Sequence, residues 1–358
     1  MTARFMLTAT LLALFTPATI RSSAIASPPA NAPTGLLVMA HGGTPDWNAA
    51  VEQAVASLRA EGPVAVAFGM ADPVTLRSAV STLEAAGAGS IAVVRLFVSG
   101  DSFRHQTEYL LGLRADPPAR FLLHAHPEPG TGADHATHGG HRGDGEPRGH
   151  GGHGGHGSES ATHTTGAGDT AAAAANPSPI PVAVPIALSD GGLDQYPGAV
   201  TILAERVRAL SRSPEHEALL VLSHGFEDEA ENERARTRIQ ALAIEAARPG
   251  GFAEIRAETL REDWPEARRA AERRIRAFVE AHGRAGRRTL VVPFRVFGFG
   301  PYGDVLEGLE YVSDGRGLLP HPAITEWIRT QGRGVAARQG WKAAAPAAVS
   351  REAGASGH

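Results

Sequence analysis

The chain has 358 residues, enough for two domains of ordinary size, and 42% of them are hydrophobic, so a sizeable core is within reach. Its 34 Lys and Arg nearly balance 38 Asp and Glu, which supplies no basic field for nucleic acid. The absence of cysteine excludes disulfides, thiolate metal sites and Cys nucleophiles.

Residues 1–26 read as a secretory signal. Arg4 is the positive start, Phe5 to Phe15 is a short apolar stretch, and Ala24-Ile25-Ala26 is a small-residue cleavage site. An uncleaved anchor is the other reading. Export to a periplasmic or extracellular space is expected. Beyond the signal no stretch is long and apolar enough to span a bilayer, so no stable membrane span is expected after its removal.

A Pro/Ala linker leads to an apolar run, Leu36 to Ala40, that ends in His41-Gly42-Gly43. A helix with an acidic start is expected from Asp46 to Ala60, a strand from Val64 to Phe68, a helix from Pro73 to Ala86, and a strand from Ser90 to Phe97 that leads to Ser99-Gly100. The pattern then recurs. Leu219 to Ser223 is apolar and ends in His224-Gly225, followed by a helix from Asp228 to Ala247. A strand (Phe252 to Leu260), a helix (Trp264 to His282) and a strand (Arg288 to Phe294) come next, then a Gly-rich loop, Gly298 to Gly303. Tyr196-Pro197-Gly198 and His321-Pro322-Ala323 each open a last helix with Pro near its first position.

Strands alternating with helices predict βαβ units and parallel sheets with right-handed crossovers. The expected fold is therefore α/β, two parallel-sheet halves in tandem, spanning 34–211 and 218–340, with a tail at 341–358. From His41 to Pro197 is 156 residues and from His224 to Pro322 only 98, so the first half is 58 longer. An insertion at 124–178 with loop composition accounts for most of this.

Nine of the 16 histidines fall between His124 and His163. His138, His141, His150, His153 and His156 recur at three- and nine-residue steps among glycines. Imidazoles bind borderline metals such as Ni, Co, Cu and Zn, and glycine lets several converge on one ion. Several weak metal sites are expected there; a low-complexity linker with idle histidines is the alternative.

In parallel sheets ligands bind beyond the carboxyl ends of the strands, where His41 and His224 both fall. A lone His there is often only a capping or packing group; the same residue at the same place in two repeats argues for a role. This strand–His-Gly–helix opening, repeated in tandem over roughly Thr34 to Thr330, resembles the class II sirohydrochlorin chelatases, which insert cobalt, nickel or iron into tetrapyrroles. The resemblance implies two chelatase-like halves facing each other across a tetrapyrrole cleft. It also implies a histidine at the end of the first strand and another after the third strand as ligands for the incoming metal, with these or a nearby acid removing pyrrole protons. His41 and His224 match the first of these in the two halves. After the third strand of the first half, His105 with Glu108 is the best match, a few residues late; the second half has no histidine there.

The resemblance therefore implies a metal and catalytic constellation of His41, His105 and Glu108. The divalent ion (Co, Ni or Fe) would be a substrate, the tetrapyrrole the partner, and no organic cofactor is expected. Imidazole and carboxylate are exchangeable ligands that hold an ion and release it, and histidine can take a proton near neutrality. Phe297, Phe299 and Tyr302 are candidates to line a flat pocket, or are ordinary packing. Arg95, Arg104 and Arg295 are candidates for substrate carboxylates, though Arg95 falls within a strand and can pair internally. The rival expectation is an exported metal-binding or delivery protein on the same fold. Gly298 to Gly303 has the glycine spacing of a dinucleotide loop, but a proline lies inside it and no acidic residue follows at the required distance.

Overall fold

The computed structural model describes residues 32–119, 177–248 and 250–342. The expected signal, His138, His141, His150, His153, His156 and the tail beyond residue 342 lie outside the described residues.

Seven parallel strands form two sheets. The first holds β1 (Thr34–Ala40), β2 (Val64–Phe68), β3 (Ser90–Leu96) and β4 (Ile186–Leu188) in the order β2-β1-β3-β4. The second holds β5 (Glu217–Ser223), β6 (Glu254–Thr259) and β7 (Arg288–Pro293) in the order β6-β5-β7. Val312 makes a lone parallel bridge to Leu290, on the side of β7 that corresponds to β4 beside β3. Every residue of β3 and β5 is buried, as expected of central parallel strands with both faces covered. In the edge strand β2 burial alternates. In each sheet the chain winds to one side of the opening strand and then crosses to the other. The two switch points therefore lie between the carboxyl ends of β1 and β3 and of β5 and β7.

Local chemistry sets the helix starts. In α1 (Pro45–Ala56) the Thr44 side chain accepts from Trp47 N–H, and Pro45 needs no partner. Asp72 caps α2 (Pro73–Ala85) and Asp228 caps α5 (Glu229–Ala246) in the same way. The other helices are α3 (Arg104–Leu110), α4 (Ala199–Leu210), α6 (Pro265–Arg284), the short α7 (Tyr302–Val305) and α8 (Pro322–Arg338). The helix expected to run to Ala60 gives way at Ser57 to a 3-10 turn.

Three apolar clusters hold these elements. Leu37, Met39, Ile91 and Val93 on the outer face of the first sheet pack with Leu76, Val80 and Leu83 of α2. Leu220, Leu222 and Val291 on the outer face of the second pack with Ile275, Phe278 and Val279 of α6. The third cluster lies between the sheets, where Val38, Val94, Leu219, Val221 and Val292 meet α1, α4, α5 and α8.

The two last helices are exchanged. α4 follows the first sheet but packs on α5 and β7 of the second, where Arg206 donates to Asp314 (3.4 Å) and to the Gly317 carbonyl (3.2 Å). α8 follows the second sheet but packs on β3, β1 and α1 of the first. Its Gly332 lets Leu36 approach, since a Cβ there would meet Leu36 Cδ1 at 2.8 Å. Thr325 Oγ1 donates to the Ala54 carbonyl (2.8 Å), Arg329 and Arg333 hold Glu61, and Thr34 Oγ1 at the start of β1 donates to the Lys342 carbonyl. Between α3 and β4, Ile180 N–H donates to the Leu110 carbonyl at 2.6 Å.

Candidate functional site

The two switch points are built alike. Gly42 (φ +70°) and Gly225 (φ +91°) each turn the chain sharply after the histidine, in a backbone region that favours glycine. Asn48 Oδ1 accepts from Gly43 N–H (3.1 Å) in the first half, and Asn232 Oδ1 accepts from Phe226 N–H (3.1 Å) in the second. His41 Nδ1 lies 2.7 Å from the Gly42 carbonyl and His224 Nδ1 lies 2.9 Å from the Gly225 carbonyl. A carbonyl only accepts, so Nδ1 carries the proton in both rings.

In His41 the Nδ1–H is held on the Gly42 carbonyl, the tautomer that a histidine ligating through Nε2 adopts. In His224 Nε2 lies 3.1 Å from Asp263 Oδ2. Burial there opposes charge. The hydrogen bond to Asp263 and the nearby Glu262 carboxylate outweigh it, and the pKa of His224 is raised. Both ring nitrogens of His224 thus face acceptors, an arrangement that favours the protonated ring. Trp264 packs edge-on against it at 5.8 Å.

His41 is exposed at the end of β1, and its ring stacks on Trp47 (centroids 5.1 Å apart, planes 10° apart). Trp47 stacks in turn on Phe297 from the loop after β7 (6.0 Å, 24°). The chain of rings crosses from the first half to the second. Trp47 is the residue that sequence reasoning missed; the available signal was its place in the first helical turn after His41-Gly42-Gly43. Of the three aromatics singled out, Phe297 reaches this place. Tyr302 is fully buried in the outer core of the second sheet, and Phe299 packs on Tyr302 and Tyr311, so these two are packing.

His105 lies exposed on α3. Glu108, one turn on, accepts from Arg104 Nε at 2.8 Å, and Arg104 also pairs with Asp190 at 2.9 Å. Among the described residues no group of three or more His, Asp or Glu side chains is placed to hold a metal, so His41, His105 and Glu108 are not gathered into one three-ligand cluster. Arg95 is fully buried and donates to the carbonyls of Ser102 (2.9 Å), Ser189 (3.1 Å) and Gly100. Burial, then the charge of Arg104, lowers its pKa to about 10. It takes the internal alternative and ties down the loop after β3. Arg295 is likewise committed, to Glu262.

Acids line the seam between the halves. Asp194, after β4, has a fully buried side chain paired with Arg238 of α5 at 2.6 Å. Burial pushes its carboxyl up despite that partner. Burial and the charge of Asp101 push Glu231 of α5 up as well.

Residues 35–103 match the CbiX family model. The matched segment runs from β1 to the loop after β3; it contains His41 and Trp47 and stops short of His105. No curated protein sequence matches the chain. Among solved structures, SirB from Bacillus subtilis with Fe3+ is 12% identical with a TM-score of 0.52, over 86% of this chain and 98% of that one. The sirohydrochlorin chelatase SirB from Bacillus subtilis subspecies spizizenii, in complex with cobalt, is 9% identical with a TM-score of 0.47, over 84% of this chain and 94% of that one. DR2241 from Deinococcus radiodurans, a multi-domain protein with structural similarity to chelatases, is 15% identical with a TM-score of 0.44; 84% of this chain covers 54% of it. The chain thus has the fold of SirB, and residues 35–103 of its first half are similar to the CbiX family model.

Proposed function

We propose that the chain inserts a divalent metal ion, Co, Ni or Fe, into sirohydrochlorin or a related tetrapyrrole. One observation carries this reading: His41, inside the CbiX-matched segment, stands exposed at the switch point with its Nδ1 held on the Gly42 carbonyl. Nε2 would take the incoming ion, exchange it readily, and hand it to the macrocycle as two pyrrole N–H bonds give way to metal–nitrogen bonds. Of the two protons released, the His41 imidazole can take one once the ion has left it, and solvent the other. His224, held by Asp263, would serve the opposite wall as a fixed donor.

The test is purified protein with sirohydrochlorin and Co2+, followed by absorbance. The expected result is insertion above the metal-only rate, lost in His41→Ala. No rate above that background in the wild type overturns the reading, and metal retained without insertion would point to a delivery protein instead. The sequence of residues 1–26 supports export, which N-terminal sequencing of the cell-envelope fraction checks. Deleting residues 124–178 should lower the metal bound per chain if the histidines there gather metal.

A further inference from the structure

We propose that Trp47 and Phe297 form an aromatic jaw that grips a planar conjugated macrocycle across the seam between the two sheets, beside His41. The inference rests on the chelatase reading and names the groups that would hold its flat substrate.

The two rings come from opposite halves, one from the first turn of α1 and one from the loop after β7. They stack on each other, with centroids 6.0 Å apart and planes tilted by 24°. A conjugated ring between them needs about 3.5 Å on each face, so the two rings must part to about 7 Å, plane to plane, for a macrocycle to seat between them.

A separate observation points to a ligand. The Trp47 Nε1–H is buried and has no hydrogen-bond acceptor among the described residues. Buried donors are rarely left so, because the lost hydration is not returned. Opening the jaw brings this donor to the edge of whatever enters, where a carboxylate or ring substituent of an anionic macrocycle can accept from it. The same indole stacks on His41 at 5.1 Å, so a ring seated on Trp47 lies next to the imidazole. The other aromatic residues of the Gly-rich loop are committed to the outer core and leave Phe297 to do this.

The test is binding of metal-free sirohydrochlorin, read as quenching of tryptophan fluorescence and as the ligand's own absorbance shift, so no turnover is needed. Trp47→Leu and Phe297→Leu should each weaken binding by about 2- to 10-fold, the worth of an aromatic contact beyond its buried area. The double variant should lose less than the product of the two, since both rings grip one ligand. Trp47→Phe should retain more affinity than Trp47→Leu. If either Leu variant fails to fold by circular dichroism, Trp47→Met and Phe297→Met, whose flexible side chain fills irregular gaps, replace them. Wild-type binding with both variants within twofold of it overturns the jaw and leaves the chelatase reading standing. No binding by the wild type removes both.

Discussion

Trp327 tests the helix exchange directly. It lies on α8, is 1% exposed, and belongs to the core between the sheets together with Ile324 and Ile328. By chain order it belongs to the second half; by packing, α8 belongs to β1 and β3. Trp327→Ala removes a fully buried indole and leaves a cavity, which costs about 3–5 kcal/mol. For a chain with about 250 ordered residues that is a fall in melting temperature of roughly 6–20 °C. Thermal melts and urea titrations give the size. Hydrogen–deuterium exchange gives the place: β1 and β3 should lose protection even though they lie more than 230 residues earlier in the chain. A loss of protection confined to β5, β6 and β7, or a cost below about 1 kcal/mol, would refute the exchange as the source of that stability.

Three further outcomes follow from the same packing and charge. Asp263→Asn should lower the pKa of His224, whose folded value is raised above the unfolded value of about 6.5. The stability from that pair is fully present below the unfolded value and is lost as pH rises through the folded one, so wild type and variant should differ in acid and converge above it; histidine NMR titration and pH-dependent melts measure both. The Glu217 carboxylate is fully buried and accepts from Ser211 Oγ (2.5 Å), Arg212 N–H (3.1 Å) and Arg288, so Arg288→Met should cost about 3 kcal/mol in urea unfolding. At Gly100 a Cβ would meet the Asp190 carbonyl oxygen at 2.2 Å and Gly192 N at 3.0 Å, both backbone atoms. Gly100→Ala should therefore cost about 3 kcal/mol, at the upper end of overpacking, and should lower the yield of folded protein.

Much of the fold was legible from residue periodicity. The runs ending in His41 and His224 are central strands, and Val64–Phe68 has the bounds that its sequence suggested. The helices expected from Asp46, Pro73 and Asp228 begin within one residue of those positions. The exchange of α4 and α8 was not legible. An apolar stripe says that a helix must be covered, but not by which sheet, and both sheets here offer similar Val and Leu surfaces. The site was legible only where backbone chemistry marks it. Gly42 and Gly225 announce the turns, whereas the pairing of His224 depends on Asp263, far along the chain and placed by the β6–α6 loop. Trp47 gained its meaning from Phe297, 250 positions away. Arg95 looked available because a strand residue's partners cannot be read from its neighbours; three carbonyls claim it.

The tie between Leu110 and Ile180 has a consequence for how this chain can vary. It fixes two points of the chain, one on each side of residues 120–176, at the outer edge of the first sheet beside β4. The entropy of closing a flexible segment between two fixed points grows only with the logarithm of its length, about 0.6 kcal/mol for each doubling. A change in the length of the chain between Leu110 and Ile180 is thereby separated from the spacing of β1, His41, Trp47 and Phe297, which other contacts hold.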